Sequence, residues 1–98
     1  MSDTRFREIL KELQEMHDKK QEDYGKVGDP FSNVRSSEDF GIPAWVGSLV
    51  RGNDKMRRLQ KAAAGESLVN ESVEDSLLDL AVYAIIALIL FREEEDGR

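Results

Sequence analysis

The 98-residue chain has no cysteine, two prolines, one histidine and one tryptophan. Without cysteine there is neither a disulfide framework nor a thiolate metal site. The single histidine, His17, has no second imidazole to join it at a metal, and its expected place is a partly buried helix end. The longest uninterrupted apolar run, residues 80–91, falls short of the roughly 18 to 20 residues that cross a bilayer, and Asp79 abuts it. The first residues, Met1-Ser2-Asp3-Thr4-Arg5, carry no apolar core of a signal peptide. Positive charge is also scarce: 14 Lys and Arg stand against 20 Asp and Glu, a formal net charge of −6. That balance argues against affinity for bulk nucleic acid, while leaving room for a local basic pocket that takes one small anion. There is no internal repeat and no low-complexity segment. The expectation is a single domain over residues 1–98, cytoplasmic, with no membrane partner.

What the chain does have is helical periodicity. Phe6, Ile9, Leu10, Leu13 and Met16 keep the i, i+3, i+4, i+7 spacing of one buried stripe, which predicts a helix over residues 3–22 with Asp3 or Thr4 as N-cap. A second helix is expected after Pro43, because proline is tolerated only in a first turn. Trp45, Leu49, Gly52, Met56, Leu59 and Ala63 form its seam, and Gly52 there suggests a close-lying backbone. Its other face carries Arg51, Asp54, Lys55 and Arg58, with Gly65 as the expected C-cap. Between the two helices, residues 24–43 are rich in turn formers yet hold Tyr24, Phe31, Val34, Phe40 and Ile42. That predicts an ordered, packed connection with a short helical turn near residues 36–39. Tyr24, Phe31 and Asn33 have the chemistry to stack on and hydrogen-bond a base; equally, the aromatics can pin the loop to the core.

A third helix is expected with Asn70 as N-cap. At about 100° per residue, Glu71, Glu74, Asp75 and Asp79 fall within roughly 140° of one another on it. The first three suit the positive end of the helix macrodipole. Asp79 lies two turns in among Leu77, Leu78, Leu80 and Ala81, where a carboxylate is costly without a cation, a metal ion or a strong donor. Residues 80–91 are apolar on every face, and one small chain cannot surround them, so self-association through this helix is expected. Residues 92–98 read as a polar tail. The fold class that follows is all-α: an antiparallel helical bundle of three main helices per chain, completed by oligomerisation, as a dimer or tetramer, through the C-terminal helix.

Lys20, Asp23-Tyr24-Gly25, Phe31, Asn33, Gly41-Ile42-Pro43, Arg51, Asp54-Lys55, Arg58-Leu59, Glu71, Glu74-Asp75, Asp79-Leu80-Ala81 and Tyr83 together resemble the MazG-like all-α nucleoside triphosphate pyrophosphohydrolase superfamily. Within it the chain is similar to the small, often phage-encoded branch called the nucleotide-modification-associated domain, over roughly residues 6–92. The superfamily resemblance implies a Mg²⁺ site built from E-E-x-x-E on one helix and E-x-x-D, or a near variant, on the next. The acids would hold the ion, and the ion the triphosphate, for attack by water with release of pyrophosphate. Here the first motif falls on Asp54-Lys55-Met56-Arg57-Arg58: only the first acid survives, and two ligand positions have become Lys55 and Arg58. The second keeps Asp75 and Asp79, with Ser76 at a position that accepts an acid in the motif and Glu71 and Glu74 nearby.

Cations at carboxylate positions repel a divalent ion, and pairing with the remaining acids consumes them. The same side chains are suited to bind phosphate directly. The leading expectation is therefore a nucleotide-binding oligomer that holds a phosphate-bearing nucleotide, cyclic signalling nucleotides included, as a phage-type sequestering protein in a host cytoplasm would. Lys20, Tyr24, Phe31, Asn33, Trp45, Arg51, Lys55 and Arg58 are its candidate ligand contacts, no cofactor is required for binding, and no catalytic residue is assigned. The alternative is a Mg²⁺-dependent pyrophosphohydrolase with Asp54, Glu71, Glu74, Asp75 and Asp79 at the metal. A third reading is a non-catalytic helical interaction protein in which every charge serves a salt bridge.

Overall fold

A computed structural model describes residues 3–24 and 31–97, excepting the side chains of residues 20–24. The described residues are helical with no strand, in the order α1 (Thr4–Tyr24), α2 (Ser32–Arg35), a 3-10 turn (Ser36–Phe40), α3 (Ala44–Ala63) and α4 (Val73–Asp96). The chain divides into two compact units, Met1–Asn33 and Val34–Arg98.

In the first unit α1 opens where its capping chemistry dictates. Asp3 Oδ1 accepts the backbone N–H of Arg5 at 2.7 Å, satisfying one of the first-turn donors that have no partner within the helix. The expected stripe is only partly covered: Leu13 is buried, but Phe6, Ile9 and Leu10 are exposed. His17 and Phe31 lie with ring centroids 6.0 Å apart, tilted by 32°, and Phe31 is buried. His17 is half-buried as expected, but it lies seven residues before the end of α1 rather than at the helix end.

The second unit is an antiparallel hairpin of α3 and α4 with the 3-10 turn lying against α3. Pro43 stands immediately outside α3 as its N-cap residue, in extended conformation. The contacts fix the direction of the pair. Trp45 meets Phe91 edge-to-face at 5.5 Å, the Ser48 hydroxyl donates to the Tyr83 carbonyl at 2.7 Å, and Lys55 reaches Asp79. The buried residues of this unit are Val34, Ala44, Gly47, Ser48, Gly52, Ser76, Asp79, Ile86, Ala87 and Leu90.

Several expectations need correction. The buried face of α3 is its small-residue face, Ala44, Gly47, Ser48 and Gly52, whereas Leu49 and Met56 of the proposed seam are exposed. The glycine that permits close approach is Gly47. A Cβ built there would lie 2.7 Å from Ser37 Cβ and 3.0 Å from the Val34 carbonyl oxygen, against 3.4 Å from the nearest atom, Leu80 Cδ1, at Gly52. The N-cap of α4 is Ser72, whose hydroxyl accepts the Asp75 N–H at 3.0 Å; Asn70 instead turns the chain with φ of 71°. Gly65, at φ of 89°, follows the α3 C-cap residue, Ala64. Residues 92–96, read as a tail, continue α4, and Glu93 pairs with Arg35 at 2.8 Å. Along α4 the apolar residues Leu77, Ile85, Leu88, Ile89 and Phe91 remain substantially exposed on a single chain.

Candidate functional site

The hairpin brings four of the sequence-predicted residues together. On α3, Lys55 lies one helical turn beyond Gly52, on the side that faces α4 rather than on the opposite charged face expected. Its Nζ is 2.6 Å from Glu71 Oε1 and 3.0 Å from Asp79 Oδ2, and only 18% of the side chain is exposed. Glu71 is not on α4 at all: it precedes the helix, and the buried Ser76 hydroxyl donates to its Oε2. Placing Glu71 off the helix lets it and Asp79 approach one ammonium from two sides. Arg58 adds a looser contact, Nε to Glu71 Oε2 at 3.9 Å, and its Nη1 donates to the Val69 carbonyl at 3.3 Å.

The electrostatics of this cluster are mutually consistent. Burial pulls the Lys55 pKa down, but the hydrogen bonds and charges of Glu71 and Asp79 outweigh it and hold the group above its ordinary 10.5. Hydrogen bonds from Lys55 and then Ser76 hold Glu71 below its ordinary 4.5, against the opposing effects of burial and the Asp79 charge. Two cations, Lys55 and Arg58, face two carboxylates, Glu71 and Asp79. Asp79 is buried, as its position in the sequence required, and the required cation is Lys55.

A divalent ion does not fit this donor set. Lys55 occupies the space between the two convergent acids, so an ion would have to displace a charged ammonium. The other candidate ligands do not join them: Asp54, Glu74 and Asp75 are exposed, and Glu74 and Asp75 lie in the first turn of α4. Among the described residues no three acids or histidines gather where they could hold a metal.

The remaining candidates are dispersed. Trp45 packs on Phe91, Phe31 packs on His17 in the other unit, Arg51 is exposed on α3, and Asn33 is exposed on α2. The side chains of Lys20 and Tyr24, and residues 25–30 of the connection, lie outside the described residues.

Sequence reasoning missed Arg57, Lys61 and residues 67–70. With Asp54 and Arg58 they border an open cleft of about 460 Å³ at the end of the hairpin where α3 stops and α4 begins. The available signal was the i, i+3, i+4, i+7 stripe Asp54, Arg57, Arg58, Lys61, three cations to one acid.

A family model described as nucleotide modification associated domain 1 matches residues 20–91. No curated protein and no solved structure matches the chain.

Proposed function

Because the chain belongs to the nucleotide modification associated domain 1 family, we propose that it binds a phosphate-bearing nucleotide and holds it without hydrolysing it. The observation that carries this reading is the Lys55 ammonium within 3.0 Å of both Glu71 and Asp79. The family description supplies the nucleotide, and the lysine supplies the reason for retention rather than turnover. In a pyrophosphohydrolase of the kind the sequence resembles, such acids would be free to bind an ion that in turn binds the triphosphate. Here they are neutralised from inside the fold, so the acids are structural and phosphate recognition falls to cations that remain exposed. Binding on this reading requires no cofactor.

The working unit is a homo-oligomer. The uncovered Leu77, Ile85, Leu88, Ile89 and Phe91 of α4 support this, because apolar residues spread along a helix otherwise packed on α3 are the raw material of a self-association surface. A sequestering role, with the protein present in amounts comparable to its ligand, suits binding without turnover.

The test is to incubate the protein with a mixed pool of linear and cyclic nucleotides, with Mg²⁺ or with chelator, then to separate bound from free by filtration. Depletion of a nucleotide from the filtrate in both conditions, with intact ligand recovered from the denatured protein, is the expected result. Monophosphate and pyrophosphate appearing only with Mg²⁺ would replace this reading with the hydrolase. A pool unchanged under both conditions would leave the protein-interaction reading in its place.

A further inference from the structure

We propose that the phosphate-binding subsite is the cleft at the open end of the α3–α4 hairpin, where Arg57, Arg58 and Lys61 present their charges beside the backbone at Val69 and Asn70. This rests on the nucleotide-holding reading and deepens it, because it locates the phosphates away from Lys55 and assigns Arg57 and Lys61, which neither the resemblance nor the periodicity singled out.

Three observations carry it. First, charge is left over. With Lys55 and Arg58 set against Glu71 and Asp79, Arg57 and Lys61 remain against one acid of the cleft lining, Asp54, in a chain whose net charge is −6. The negative end of the α3 dipole is worth about half a charge and does not offset the excess. Second, the cations differ in their commitments. Lys55 is consumed by Glu71 and Asp79, whereas the exposed side chains of Arg57 and Lys61 meet no ion-pair partner among the described residues. Third, the middle cation is already oriented. Arg58 is tied to the Val69 carbonyl at 3.3 Å and lies 3.9 Å from Glu71, so one guanidinium edge is anchored and less rotamer freedom is lost on binding.

The ligand chemistry follows from these features. A volume of about 460 Å³ lies within the range of small-molecule sites and exceeds what one phosphate needs. Three cations spaced over one turn of helix match a group bearing several negative charges on adjacent phosphates, a phosphoanhydride, better than an isolated monoester. The recognised class is a di- or triphosphate chain. Free pyrophosphate and the phosphate chain of a nucleotide are the two sources of that chemistry.

The experiment is to titrate the full chain with inorganic pyrophosphate, and separately with ATP and the other common nucleoside triphosphates, following the backbone amides of residues 67–70 by NMR. The wild type is compared with Arg57→Glu and Lys61→Glu. Both substitutions are at exposed positions, and thermal melts check that each variant is folded. The proposal expects those amides to shift with pyrophosphate and with at least one triphosphate, affinity to fall on the order of tenfold or more for each variant, and binding to weaken steeply with salt. If a nucleotide binds but both variants bind it as tightly as the wild type, the cleft assignment is overturned while nucleotide holding stands. If nothing in the filtration panel binds the wild type either, both fall together.

Discussion

Replacing Lys55 by methionine should reverse the direction in which acid affects the stability of this protein. The substitution keeps most of the apolar stem and removes the charge, leaving Glu71 and Asp79, each within 3.0 Å of the vanished nitrogen in the wild type, facing one another. Two carboxylates about 5 Å apart repel by roughly 3 kcal/mol at an effective dielectric constant near 20. Their exposed side-chain fractions, 16% and 12%, leave them little solvent screening. Removing one member of a buried ionic cluster costs about 3–5 kcal/mol; with some solvent access and with Arg58 and Ser76 still beside Glu71, a loss of about 2–4 kcal/mol is expected at pH 7. For a domain of this size that is a fall in Tm of roughly 10–25 °C.

The sign of the pH dependence is the sharper test. In the wild type the Glu71 pKa is depressed, so its contribution is present above about 4.5 and is lost as pH falls through the lower folded value. The Lys55 contribution is present below 10.5 and is lost only as pH rises through its raised folded value. Without Lys55, two facing carboxylates favour protonation of one of them. The folded pKa then rises, and stability is gained as pH falls from 7 toward 5. Urea titrations of both proteins at pH 5 and pH 7 measure this directly. The reasoning fails if Lys55→Met loses less than about 0.5 kcal/mol at pH 7, or if its stability varies with pH in the same direction as that of the wild type. Adding Glu71→Gln and Asp79→Asn to the variant should restore much of the loss, because it removes the charges left without a counter-ion.

Gly47→Ala should destabilise by about 1–3 kcal/mol, since the new methyl meets Ser37 and the Val34 carbonyl. Gly52→Ala should be neutral or stabilising by up to about 1 kcal/mol through helix propensity, and paired thermal melts distinguish the two positions. Leu88→Glu, on the exposed apolar surface of α4, should shift the protein to a smaller species in sedimentation or native mass measurements. A wild type already monomeric at high micromolar concentration would remove the basis for that expectation. The Arg57→Glu and Lys61→Glu variants should leave the Tm within about 4 °C of the wild type, since exposed substitutions generally cost no more than about 0.5 kcal/mol.

Much of this structure was legible in the sequence, and each miss has its own physical cause. Pro43 marked the start of α3 and Asp3 that of α1 because their local chemistry fixes both positions. Asp79 announced its need for a cation by lying two turns inside an apolar helix, and Lys55 supplies one. The buried face of α3 was misassigned because periodicity counts large apolar residues, whereas this contact is built on Ala44, Gly47, Ser48 and Gly52. Gly47 admits the 3-10 turn while Ser48 and Gly52 meet α4, and a face packed this way can include a long cation if its charge is met on the other side. Glu71 was placed on the wrong element because Asn70 and Ser72 are both sound N-cap residues. The choice between them depends on the left-handed turn at Asn70, which the tertiary path sets. The cleft of Arg57, Arg58 and Lys61 was overlooked because salt pairing along a helix accounts for such a stripe at face value, and only the position of the 67–70 backbone shows a concave surface beside it.

The lysine between Glu71 and Asp79 also frees that site from mass action. A dissolved ion is held only as long as its concentration exceeds its dissociation constant, and a chelator or a fall in the cellular pool strips it away. An ammonium carried on the same backbone has no such equilibrium: its local concentration is set by the length of its own side chain and does not fall on dilution. The two acids of this hairpin therefore keep their counter-ion through changes in divalent-cation supply, and they give it up only on unfolding or at a pH above the ordinary lysine value of 10.5.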